Sequence, residues 1–200
     1  AAIYGEKVVA TGFLGGHSGE FIAEAIEKDG VKSEFLFTGG ESRSCINIYD
    51  EATRQQTELL EPGISVTEEE LECFLTKYEI LVESADVVCI SGSVPKGVPT
   101  EYYGQLIEIA KRHEKPVIMD TSGELLEKNI TYLPDMIKPN DDEIAMLTGK
   151  VHLSEEELIQ EAVMLFQRGI TYAVISLGKK GSLTVCKDGI FKAKVPQFKP

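Results

Sequence analysis

Four short segments carry residues able to do chemistry. Lys138-Pro139-Asn140-Asp141-Asp142-Glu143 sets an ammonium just before an amide and a carboxylate three residues apart. Lys138 could neutralise a phosphate. Asn140 and Glu143 could hold Mg²⁺ through water, because Mg²⁺ keeps several waters and uses few protein carboxylates. The same spacing is that of a helix start, with Asn as N-cap and Glu at N3, and taken alone this is the stronger reading. Ser176-Leu177-Gly178-Lys179-Lys180-Gly181 could wrap backbone N–H groups around phosphate oxygens, or it could simply turn a hairpin. Ser91-Gly92-Ser93-Val94-Pro95-Lys96-Gly97 offers small residues that let a ligand approach the backbone, and equally a Pro/Gly turn. Arg43 could clamp a phosphate bidentately or serve as a solvated edge charge.

Other chemistries find no support in the sequence. There is no GxxxxGK[ST] and no GxGxxG. The GFLGGHSG run at 12–19 is dense in glycine without that spacing, and reads first as a tight turn. His17, His113 and His152 share no metal-ligand spacing. Cys45, Cys73, Cys89 and Cys186 are scattered without a CxxC pair, as expected of free thiols in a cytoplasmic protein, and Cys89 lies in an apolar run that reads as core. The 200 residues carry a net charge of -13, which disfavours nucleic acid as a partner. No apolar run reaches the roughly 18 residues needed to cross a membrane.

These segments must be held by an alternation of strands and helices. Residues 7–11, 87–91, 117–120 and 172–177 are short, nearly continuous apolar runs, as in strands covered on both faces. Helical periodicity fits 20–29, 67–84, 100–113 and 154–168, with capping boxes at Thr67/Glu70 and Ser154/Glu157. The fold class expected is α/β with a mostly parallel sheet between helices. Residues 34–60 break the alternation. The runs 35–38, 44–49 and 56–60 suggest a small antiparallel sheet standing off the main body. Residues 183–186 and 191–195 suggest a hairpin around Asp188-Gly189.

Taken in order, the segments resemble the ribokinase-like, PfkB-type carbohydrate kinases. SGSVPKGVP is similar to that family's SGSLPxGxP, DTSGELL (120–126) to DTSGxxL, IKPNDDEI to KPNxxE, and ISLGKKGSL to SLGxxG. The resemblance runs from about Gly5 to Pro200. The stretch SRSCINIYDEATRQQTELLEPG (42–63) resembles tagatose-6-phosphate kinases more than the related TRxNxKI pattern of 1-phosphofructokinases. The resemblance implies a three-layer α/β/α kinase core over 1–33 and 61–200, with 34–60 as part of a β-lid. It implies ATP-dependent transfer to a ketohexose phosphate, with ATP and Mg²⁺ as cofactors and a homodimer formed through the lid. By carry-over, Arg43, Cys45 and Ser93 would bind the sugar phosphate. Lys138, Asn140, Ser176, Gly178 and Gly181 would bind ATP and its phosphates, and Asn140 and Glu143 would serve the metal.

Two departures accompany the resemblance. The family's opening GGKGxN segment and its closing GAGD segment, which holds the catalytic aspartate, are both missing. The chain is therefore expected to be the middle two thirds of such a kinase, binding weakly and turning over little by itself. Asp120 is an available carboxylate, but nothing in the resemblance sets it beside the attacking hydroxyl. A 1-phosphofructokinase, a non-catalytic sugar-phosphate-binding homologue and a Rossmann-type NAD enzyme remain as alternatives at this stage.

Overall fold

The structure is a computed structural model and describes residues 1–196; the last four residues of the expected core lie outside the described residues. Two compact units divide the chain, Ala1–Tyr78 with Val94–Val98 and Glu79–Ser93 with Pro99–Pro200.

In the first unit, β1 (Val8–Ala10) and β2 (Phe13–Leu14) lead into α1 (Gly16–Lys28), and β3 (Val31–Ser33) and β4 (Leu36–Phe37) return parallel beside them. The Glu34 N–H donates to the Ala10 carbonyl and the Leu36 N–H to the Gly12 carbonyl, both at 2.9 Å, so the two short pairs form one broken ladder. This corrects two expectations. Residues 35–38 do not join an antiparallel sheet; they pair in parallel with Phe13–Leu14. Half of the glycine-rich run is helix rather than turn, and α1 starts four residues earlier than its periodicity indicates. Its first-turn N–H groups are satisfied from far along the chain. The Glu41 carboxylate accepts from His17 and Ser18, and the Ser42 hydroxyl accepts from Gly15.

Next come β5 (Cys45–Asp50) and β6 (Gln55–Leu60), an antiparallel ribbon in register from Cys45↔Leu60 to Asp50↔Gln55. Its turn is closed by Asp50, whose carboxylate accepts the N–H groups of Ala52 and Thr53 and the Thr53 hydroxyl. Every residue of both strands is exposed. Helix α2 (Glu68–Glu83) begins at the expected capping box, with Thr67 and Glu70 exchanging hydrogen bonds.

The second unit holds β7 (Val88–Ser91), α3 (Tyr102–Arg112), β8 (Val117–Asp120), α4 (Gly123–Asn129), β9 (Met136–Ile137), α5 (Asp141–Leu147), α6 (Glu155–Gln167), β10 (Tyr172–Ser176), β11 (Ser182–Cys186) and β12 (Gly189–Ala193). The six strands lie in chain order, parallel from β7 to β10 and antiparallel from β10 to β12. Helix α3 packs on β8, α5 on β10, and α6 on β10 and β11.

One face of this sheet is buried through Ile90, Val117, Met119, Ile137, Ile175 and Leu183. Each such side chain contributes about 1.5–3 kcal/mol. On the other face Ile118, Met136 and Val174 are half-buried, Cys186 is buried and Cys89 is exposed. Cys89 is thus not a core residue: a continuous apolar run does not encode which of its side chains are buried. The last hairpin turns through Lys187 and Asp188, one residue earlier than expected, because Gly189 already pairs with Cys186.

Candidate active site

The carboxyl ends of β7 to β10 gather most of the candidate residues. This edge is where open α/β sheets bind ligands. Each strand ends where its sequence changes from apolar to small or polar: Ser91 after Ile90, Asp120 after Met119, Lys138 after Ile137, Ser176 after Ile175.

Lys138, exposed, leaves β9 directly. Its Nζ lies 3.4 Å from Asp120 Oδ1 at the end of β8. Asn140 is the N-cap of α5, and Glu143 completes a capping box. Asn140 Oδ1 accepts from the Glu143 N–H and Glu143 Oε2 accepts from the Asn140 N–H, each at 2.8 Å. The structural alternative for this motif is therefore realised. It uses Glu143 Oε2 and leaves Oε1 without a hydrogen-bond partner among the described residues. A hard oxygen on a half-buried carboxylate, beside an amide oxygen, fits Mg²⁺ held through water. No group of three or more His, Cys, Asp or Glu among the described residues is placed to grip a metal directly.

Ser176 is locked to the same loop. Its N–H donates to the Pro139 carbonyl at 2.9 Å, its hydroxyl donates to the same oxygen at 3.4 Å, and Asn140 and Ser176 form an isolated parallel bridge. The SLGKKG segment that follows is a hairpin connection from β10 to β11, with a single turn of 3-10 helix over Gly178–Lys180. Gly178 has φ +54 with open space where a side chain would stand. Gly181 has φ +101, and a Cβ there would run into the Ala193 carbonyl. One glycine is thus demanded by packing, and the other leaves an open backbone surface.

Ser93 is exposed in the loop after β7. The preceding Gly92 fixes that loop: its N–H donates to the Asp120 carbonyl at 3.1 Å, and its carbonyl accepts the Thr121 hydroxyl at 2.7 Å and the Tyr103 phenol at 3.3 Å. The DTSG segment therefore anchors the SGS loop, a role its sequence does not reveal. Arg43 and Cys45 belong to the first unit, just before and at the start of β5, and both are exposed. Arg43 packs its stem against Gly63, whose φ is +74.

The profile of the family described as pfkB family carbohydrate kinase matches residues 1–199. The chain belongs to that family. Among solved structures, this pfkB-family chain is similar to phosphofructokinase-2 from Escherichia coli in complex with fructose-6-phosphate, at 26% identity and TM-score 0.86 over 99% of this chain and 66% of that one. The potassium complex of the same enzyme gives 25% identity and TM-score 0.88 over 99% and 64%. A possible 1-phosphofructokinase from Thermotoga maritima gives 27% and 0.80 over 93% and 59%. The chain thus spans slightly less than two thirds of the length of these structures. Its fold class is the expected ribokinase-like α/β architecture with a mostly parallel sheet. No helix among the described residues is long and apolar enough to cross a membrane.

Proposed function

We propose that the protein is an ATP-dependent kinase of a ketohexose phosphate, and specifically of tagatose 6-phosphate, giving tagatose 1,6-bisphosphate. One observation carries the reading: Lys138, Asn140, Glu143 and Ser176 meet at the carboxyl edge of β9 and β10, Ser176 bonded to the Pro139 carbonyl and Asn140 to Glu143. Phosphoryl transfer needs positioning and charge neutralisation more than covalent chemistry. In this reading Lys138 meets the nucleotide phosphates, Ser176, Gly178 and Gly181 line the ATP path, and Arg43, Cys45 and Ser93 hold the sugar phosphate. Asn140 and Glu143 hold Mg²⁺ through water; the ion supplies neutralisation of phosphate charge. No residue of this chain is given the role of base.

A second reading, fructose 1-phosphate as acceptor, is favoured by the likeness to the Thermotoga maritima protein. An ADP-release assay on the full-length protein separates them. Faster turnover of tagatose 6-phosphate supports the first reading, and faster turnover of fructose 1-phosphate replaces it with the second. Sugar-phosphate binding without ADP release would make the protein a non-catalytic homologue.

The ribbon of β5 and β6 supports a lid within residues 34–60 that pairs with a second copy, Leu36–Phe37 pairing instead with Phe13–Leu14. A two-stranded ribbon alone is marginal in water. This one exposes Ile46, Ile48 and Leu59 on one face and Tyr49 and Leu60 on the other, apolar surface of the kind that marks an interface. Sedimentation of the full-length protein should show a homodimer, and Ile48→Glu should shift it to monomer. The four free cysteines suit a cytoplasmic location.

A further inference from the structure

The pair of Asp120 and Lys138 stands out at the sheet edge. Met119 is in register with Ile137, so the two next residues, Asp120 and Lys138, end neighbouring parallel strands side by side. Their side chains meet at 3.4 Å. Both are 45% exposed, and a pair so exposed adds little to stability. What it does is restrict a flexible four-carbon stem whose ammonium would otherwise sample many positions. Asp120 suits that task because its own backbone is pinned. Its carbonyl accepts the Gly92 N–H, its N–H side lies in the β7–β8 ladder opposite Ser91, and the next residue, Thr121, donates to the Gly92 carbonyl.

We propose that Asp120 is a positioning residue whose carboxylate fixes the Lys138 ammonium at the carboxyl edge of the sheet, ready for a nucleotide phosphate. The inference rests on the reading of this edge as a phosphoryl-transfer site. An ammonium has three N–H donors, so Lys138 can keep one on Asp120 and direct the others to phosphate oxygens. Asp120 touches neither substrate and takes no proton.

The test is steady-state kinetics and ATP-binding calorimetry on the full-length protein with Asp120→Asn, Asp120→Glu, Lys138→Ala and the Asn/Ala double variant. Asp120→Asn should lower kcat/KM for ATP about tenfold, since small misplacements of a charged group are costly to transfer. The KM for the sugar phosphate should stay within about twofold and the Tm within about 2 °C. Asp120→Glu should restore part of the loss. In the Lys138→Ala background, adding Asp120→Asn should change kcat/KM less than about twofold, because its effect runs through the lysine. Full additivity in the double variant, or an Asp120→Asn protein equal to wild type, overturns the proposal while leaving the kinase reading intact. Should Asp120→Asn lower Tm strongly, Asp120→Ser gives the same readout. Wild-type protein that neither binds ATP nor releases ADP overturns both.

Discussion

Asn140 and Glu143 each accept the other's backbone N–H, at 2.8 Å in both directions. The two residues that could serve a metal are thus also those that start α5, and only a change that separates charge from shape can tell the roles apart. Gln at N3 completes a capping box as Glu does. Glu143→Gln should therefore keep Tm within about 2 °C while lowering kcat/KM about tenfold and raising the Mg²⁺ concentration needed for half-maximal rate. A thermal shift with unchanged Mg²⁺ dependence would leave Glu143 a cap alone.

Arg43 lies exposed before β5. If it clamps the sugar's phosphate, Arg43→Ala should raise KM for the sugar phosphate about tenfold or more, with KM for ATP within about twofold. An equal rise in both would end that role.

Asn129 is 0% exposed. Its side chain accepts the Gly104 N–H and donates to the Thr100 and Leu125 carbonyls at 2.7 Å, which pins α3 to α4. Asn129→Leu removes the side-chain donor to the Thr100 and Leu125 carbonyls and leaves the Gly104 N–H only the Glu101 carbonyl. Each lost partner costs about 1–3 kcal/mol, so a loss of about 2 kcal/mol or more is expected in urea unfolding.

Gly178 and Gly181 should part company under the same substitution. Gly181→Ala combines a positive φ with collision against the Ala193 carbonyl and should cost about 2 kcal/mol or more. Gly178→Ala meets no atom and should cost about 1 kcal/mol. If Gly178 nonetheless raises KM for ATP more than Gly181 does at matched fractions folded, the open backbone there is a nucleotide contact.

Glu34 hydrogen-bonds Lys32 and also meets Lys77, and these partners hold its carboxyl below the ordinary value of 4.5. A carboxylate with a depressed folded-state value adds stability above the ordinary value and loses it as pH falls through the depressed one. Urea midpoints measured from pH 6 to pH 3 should therefore fall more steeply for wild type than for Glu34→Gln. Parallel curves would show that the pair leaves the folding balance unaltered.

Much of this was legible in the sequence. The helix starts at Thr67 and Ser154 carry their signal within four residues, and so does the Asn140/Glu143 cap. What was not legible depends on partners distant along the chain. Gly16 begins a helix because Glu41 and Ser42 arrive from more than twenty residues away. Phe37 pairs in parallel with Leu14 although its neighbourhood looks antiparallel. Cys89 is exposed although its strand reads as a continuous apolar run, because burial there alternates along the strand. The Asp120–Lys138 pair crosses two strands, and no single motif contains both.

The strand order of the second unit has a bearing on how the molecule is made. From β7 to β12 every strand pairs with the one synthesised just before it. No gap has to be held open for a later segment, and loop-closure entropy is lost in small steps. As this stretch leaves the ribosome, each new strand meets an edge already formed, so that sheet can grow in step with translation.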